Sequence, residues 1–194
     1  NLLDDMTGAL IALAKAVDGK KRNSSTDLLM IEGLFTAITN VNFNNETIQV
    51  LIDKITADQA GYGSCEAPYT MNDLWNDQED IRSLKSLILL GLRGMGAYAY
   101  HARVLGFVDE TVNDFFFSAM KAIGTSNDAD ELLSLVLKTG EVNLACMELL
   151  DRANTTTYGD PVPVEVPLTI EKGPFIVVSG HDLLDLYKLL KQTE

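Results

Sequence analysis

Apolar residues recur at helical spacing along most of the chain, as far as about residue 153. The pattern predicts helices at 2–17, 28–38 and 45–55, and again at 81–105, 112–123, 129–137 and 142–152. Thr26 and Asp27 precede the second of these helices, and both residue types favour a helix N-cap. Residues 56–80 are polar and contain Gly61, Gly63 and Pro68, which indicates a linker or irregular loop.

The helical pattern repeats along the chain. Shifting the sequence on itself places residues 8–10 over 91–93 and, after a short slip, residues 27–29 over 114–116. We therefore predict an internal duplication of three-helix units. The chain is expected to be mainly α, with one helical bundle at 1–55, the irregular segment at 56–80 and a second bundle at 81–157.

The composition and the pattern of apolar residues change over residues 158–194. Four prolines between 159 and 174 exclude a helix there, and 162–170 is predicted to include a short edge strand. The run 175–178 is apolar and β-branched, as in a buried parallel strand, and a helix is predicted from Asp182. A single strand-helix pair leaves its strand edges unpaired. We therefore expect this segment to begin an α/β domain that is truncated here, and the chain to be a piece of a longer polypeptide.

Charge and composition narrow the classes of partner. The net charge is −13, so binding to nucleic acid or to an anionic membrane is not expected. Cys65 and Cys146 lie far apart in sequence, which favours two free thiols in a reducing compartment. The sequence shows no targeting peptide and no apolar run long enough to span a bilayer. A soluble, cytoplasmic protein is expected.

The two histidines differ in position. His101 lies in the middle of a predicted helix without a second ligand one turn away, so it is interpreted as a structural helical residue. His181 follows the predicted buried strand, at the edge of the sheet where α/β proteins place ligands and catalytic groups. A neutral imidazole there could bind a metal or transfer a proton, although many histidines in turns do neither.

Four stretches together resemble the hybrid cluster protein family, also called prismane proteins or hydroxylamine reductases. They are GLFTAITNVNF, DIRSLKSLILLGLRGMGAYAYHARVLGF, LLDRANTTTYGDP, and FIVVSGHDLLDL with the closing LLKQTE. The resemblance covers essentially the whole chain in the right order. It implies an iron–sulfur oxidoreductase that reduces hydroxylamine to ammonia, with nitric oxide reduction also proposed. It further implies a Rossmann-like fold for the domain that begins at residue 158.

The resemblance also implies cofactors and site residues. Family members carry a conventional cluster, of the 4Fe–4S or 2Fe–2S type, and a hybrid iron–sulfur–oxygen cluster where the domains meet. The histidine of the SGHDL motif ligates iron in the hybrid cluster, which assigns that role to His181. The threonine of the LFxxITN motif lines the substrate pocket, which makes Thr39 a pocket candidate. Cys65 and Cys146 match no ligand position, and no residue here is assigned to catalysis.

The family's remaining ligands would lie outside these residues. One histidine cannot hold a cluster that needs several thiolates and carboxylates, so we expect no cluster on this chain alone and no activity. The expected partners are the rest of the polypeptide, an electron-donor protein and a small-molecule substrate. The alternatives are an acidic helical scaffold for protein–protein interaction and, less favoured by its single glycine, a nucleotide-binding α/β protein whose SGHD turn holds phosphate.

Overall fold

A computed structural model describes residues 1–38, 42–63, 69–180 and 182–193. The described residues form eight helices and no strands. The helices are α1 (Leu2–Ala16), α2 (Ser24–Thr36), α3 (Asn45–Gly61), α4 (Met71–Trp75), α5 (Glu79–Val104), α6 (Glu110–Thr125), α7 (Ala129–Tyr158) and α8 (Leu183–Thr193). The chain divides into two compact units, Asn1–Pro161 and Val162–Glu194. The prediction of a mainly α chain is therefore confirmed.

The first unit is built around one main hydrophobic core. Helices from both predicted bundles contribute to this core: α1 packs against α3 and α6, α2 packs against α5, and α5 packs along α7. Its largest buried side chains include Phe116 of α6 and Leu10 of α1, each fully removed from solvent. The boundaries of the two bundles and the internal duplication stay predictions.

Polar side chains also join the two halves of this unit. Arg22 donates from Nε to Asp27 Oδ1 at 2.9 Å and from Nη2 to Asp114, and its guanidinium lies 4.3 Å from the centre of the Phe117 ring. Lys121 of α6 donates to Asp18 at 2.6 Å. These contacts tie the segments around α1 and α2 to α6.

The predicted break between two helices at 129–137 and 142–152 is wrong. A single helix, α7, continues through Gly140 and through the polar run that follows Arg152, and it ends at Tyr158. Packing along α5 outweighs the weak helix propensity of a glycine. Gly159, with φ of +88°, ends α7 in a conformation that L residues rarely adopt.

Two smaller sequence predictions also need correction. The N-cap of α2 is Asn23, whose side chain accepts hydrogen bonds from the backbone N–H groups of Ser25 and Thr26, so α2 begins before the predicted Thr26–Asp27 cap. The segment 56–80 is not wholly irregular, because it holds the end of α3 and the whole of α4. Thr70 and Asp73 form a capping box that stabilises this short helix.

The strands predicted in the second unit are absent. Residues 162–180 form neither helix nor strand, and the large apolar side chains of 162–170 and 175–178 are exposed. A strand needs a neighbour to pair with its backbone groups, and the described residues offer none. The helix predicted from Asp182 is present as α8, and none of its described residues is buried.

Candidate functional site

Both residues that the resemblance assigns to the site lie outside the described residues. Thr39 belongs to 39–41 and His181 is itself not described, so their predicted roles stay predictions. Cys65 is likewise outside the described residues. The elements that flank Thr39 and His181 are described, and each is considered separately.

The end of α2 precedes Thr39 and is closely packed. Ile38 N–H donates to the Phe35 carbonyl at 3.1 Å, and the Asn42 side-chain amide donates to the Ile38 carbonyl at 3.0 Å. This last bond joins the residues on either side of 39–41. The motif LFxxITN therefore begins at Leu34 inside the last turn of α2, and Thr39 follows the helix in the chain.

Helix α5 supports this end of α2. A Cβ added at Gly96 would lie 3.0 Å from Leu34 Cβ, so α2 and α5 approach closely because residue 96 has no side chain. The Phe35 ring lies 4.9 Å from the Tyr100 ring and 5.4 Å from the His101 ring, measured between centroids. The edge-to-face packing of Phe35 on His101 agrees with the structural interpretation of His101.

The residues around position 181 surround an open cleft of about 540 Å³ in the second unit. Its polar lining comes from Ser179, Gly180, Asp182 and Asp185, and its apolar lining from Val178, Leu183, Leu186 and Leu189. Gly180 has φ of +154°, and the Asp182 carbonyl accepts the first hydrogen bond of α8 from Leu186 N–H at 3.1 Å. The helix predicted to follow position 181 is present as α8, whereas the predicted turn at Gly180 stays a prediction.

The described residues do not fit an iron–sulfur cluster. They contain no group of three or more His, Cys, Asp or Glu side chains that could hold a metal ion. Cys146 is buried, its Sγ contacts the Met95 carbonyl at 3.5 Å, and burial raises the pKa of its thiol to about 12. A thiol with this pKa is protonated at neutral pH and is a poor iron ligand.

Sequence reasoning missed two cations in the first unit. Lys85 is almost fully buried and donates to Asp77 Oδ2 at 2.8 Å and to Asn127 Oδ1 at 2.9 Å. The Arg93 guanidinium donates to Thr7 Oγ1 at 3.0 Å, and burial lowers its pKa. The helical periodicity of α5 places Lys85 among its buried positions, and this pattern could have identified it as a buried lysine from sequence. The partners of both side chains identify them as structural.

Comparison with known proteins places the chain in a family. The Prismane/CO dehydrogenase family matches residues 3–194. Proteins named hydroxylamine reductase are 40% identical in Thermodesulfovibrio yellowstonii and 39% identical in Syntrophobacter fumaroxidans, each match covering 100% of this chain and 42% of the relative. The protein of that name from Nitratidesulfovibrio vulgaris is 34% identical over 88% of this chain and 36% of its own length.

The matches cover nearly all of this chain but only part of each relative. The chain spans about two fifths of the length of the curated relatives it matches. Among the helices that the structure describes, none is both long and apolar enough to cross a membrane. Because the family match runs over nearly all 194 residues, the chain belongs to the Prismane/CO dehydrogenase family, which confirms the resemblance inferred from its four motifs.

Proposed function

We propose that this chain is the helical part of a longer iron–sulfur oxidoreductase that reduces hydroxylamine to ammonia. The observation that carries the proposal is the identity of about 40% with proteins named hydroxylamine reductase, extending over the whole chain. Nitric oxide reduction is the alternative activity implied by the resemblance. An electron-donor protein would supply the electrons.

Two residues of this chain are proposed to serve that site. His181 would supply one imidazole ligand to an iron of the hybrid cluster, and Thr39 would line the pocket. The cleft of the second unit supports the first assignment, because the residues on either side of position 181 in the chain, Gly180 and Asp182, line it. The close packing of α2 on α5 supports the second, because residue 39 follows that helix end.

The His181→Ala change in the full-length protein tests the proposed function. We expect the spectrum of the hybrid cluster to be lost, that of the conventional cluster to remain, and ammonia formation from hydroxylamine to fall at least about a hundredfold, as for loss of a metal ligand. His101→Gln is the matched control, since it changes the other histidine and is expected to preserve both spectra. Unchanged spectra in His181→Ala would refute the ligand assignment, and absence of ammonia formation by the unaltered holoenzyme would refute the activity.

We also expect the 194-residue chain alone to bind no cluster. Cys146 is held protonated by burial, and one histidine cannot replace the several thiolates that a cluster needs. Reconstitution with iron and sulfide, followed by analysis of both elements, should find far less than one cluster per chain. Stoichiometric iron and sulfide would contradict this expectation. Absence of both from the full-length protein would favour the acidic helical scaffold.

A further inference from the structure

Helix α7 carries a second apolar stripe that the core does not use. Its inner stripe includes Leu132, Val142, Cys146 and Leu149, all buried. Its outer stripe consists of Leu133, Leu137, Leu144 and Met147, which are 49%, 70%, 67% and 45% exposed. The outer residues are spaced by three, four or seven positions and therefore share one face of the helix.

Helix α5 extends this apolar surface. It runs parallel to α7, because Gly91 approaches Thr139, Met95 contacts Cys146, and Ala102 clusters with Leu149. Leu87, one helical turn before Gly91, and Leu90, directly before it, are 56% and 61% exposed. The outer α5–α7 face is defined here by these six residues: Leu87, Leu90, Leu133, Leu137, Leu144 and Met147.

Two glycines, Gly94 of α5 and Gly140 of α7, lie among the residues of the outer α5–α7 face. A Cβ added at Gly94 of α5 or at Gly140 of α7 would meet nothing within 4 Å. Gly140 separates Leu137 from Leu144, and Gly94 follows Leu90 by one turn. The open space at these two glycines leaves room for apolar groups of a partner to approach the helices.

Charge distinguishes among the partners that could cover this face. Asp130, Glu141 and Glu148 follow one edge of the outer stripe on α7, with Glu141 paired to Lys138 at 2.7 Å. Pairing of two identical copies along the stripe would oppose these carboxylates to those of the other copy, and the chain already carries a net charge of −13. The complementary partner is apolar at its centre and has lysine or arginine at the rim.

We propose that the outer α5–α7 face is the docking surface for the rest of its own polypeptide. The relatives that the chain matches are more than twice its length, so a large part of each such protein is available to cover the face. A covalently linked partner binds at a high effective concentration and therefore prevails over a separate protein of similar affinity. This inference rests on the proposed function only in assuming the longer polypeptide.

Oxidation of Met147 tests the proposal without reference to enzyme activity. Met147 is half-exposed, whereas the other five methionines, Met6, Met30, Met71, Met95 and Met120, are buried. With chloramine-T and mass spectrometry, Met147 should oxidise rapidly in the 194-residue chain and about tenfold more slowly in the full-length polypeptide. Equal rates in the two proteins would overturn the proposal, as would protection in the 194-residue chain that grows with its concentration, because that indicates a second copy.

A double substitution on the outer α5–α7 face provides a second test of the docking proposal. Leu137→Glu with Leu144→Glu in the full-length polypeptide should restore rapid oxidation of Met147, since charges on the face oppose docking. Val50→Glu on α3 is the matched control, because Val50 is 51% exposed and lies on a different helix. Slow oxidation of Met30 and Met120 in every variant verifies that the core is intact. Persistent protection of Met147 in the double variant would overturn the proposal, whereas loss of ammonia formation alone would bear only on the proposed function.

Discussion

The Gly8→Ala variant is expected to lose about 3 kcal/mol of its free energy of unfolding. A Cβ at residue 8 would lie 2.0 Å from the Tyr69 carbonyl oxygen and 3.2 Å from its carbonyl carbon. These atoms belong to the backbone and cannot move aside by rotation of a side chain. Alanine also gains about 1 kcal/mol of helix propensity, which offsets only part of the clash. Urea unfolding followed by circular dichroism measures the difference.

Gly140→Ala is the matched control for this prediction. Residue 140 lies inside α7, and an added Cβ there meets nothing within 4 Å. The same chemical change should therefore stabilise the chain by up to about 1 kcal/mol through helix propensity alone. Opposite signs for the two variants are expected. If Gly8→Ala were as stable as the parent chain, the close approach of α1 to Tyr69 would be incorrect.

Asp77→Asn is expected to destabilise the chain by about 3 kcal/mol, because it leaves the Lys85 ammonium without its carboxylate. The Lys85 side chain is 4% exposed and that of Asp77 is 19% exposed. Removing the lysine instead, in Lys85→Met, leaves a carboxylate that water can reach and should cost only about 1 kcal/mol. The order of the two variants in urea unfolding is the measurement. An equal loss in both would show that the two charges are similarly hydrated.

The same ion pair makes stability depend on pH. The hydrogen bond from Lys85 lowers the pKa of Asp77, so the carboxylate binds protons less readily in the folded chain than in the unfolded one. Its contribution is therefore present above the unfolded pKa, near 4, and is lost as the pH falls through the lower folded value. The stability difference between the parent chain and Asp77→Asn should shrink below about pH 4. A difference that stayed constant from neutral to acidic pH would contradict this assignment.

Local patterns were sufficient to predict most of the helices. The predicted bounds of the helices that became α1, α5 and α6 differ from the observed bounds by at most a few residues, because each has a long apolar stripe that faces the core. The beginning of α2 was less certain. Asn23, Ser24, Ser25 and Thr26 are all good capping residues, and sequence alone does not select among them.

Long-range packing explains the predictions that failed. The helical pattern predicts a break between residues 137 and 142, but the close approach of Gly91 to Thr139 holds α7 against α5 at that point. The run 175–178 indicated a buried strand because its composition suits a sheet, although a strand forms only beside a partner. The described residues contain no such partner, and the apolar side chains of this run are exposed.

The candidate site residues were predicted from family motifs rather than from the chemistry of the individual residues. Position alone suggested that His181 binds a metal or transfers a proton, and the resemblance carried by the SGHDL motif implies the specific role of iron ligand. The family match over residues 3–194 confirms the motif-based assignment of family. The remaining ligands that the resemblance implies would come from distant parts of a longer chain, so no helical or strand periodicity in these residues could reveal the complete ligand set.

The contacts that join the two halves of the first unit determine how it folds. Arg22 donates to Asp114, Lys121 donates to Asp18, and Arg103 donates to the Ser24 carbonyl at 2.6 Å, so these pairs are separated by 92, 103 and 79 positions in sequence. Closing such long loops costs entropy before the core can form. Residues 1–161 should therefore fold more slowly than a simple helical bundle and melt in one cooperative transition, with equal calorimetric and van't Hoff enthalpies.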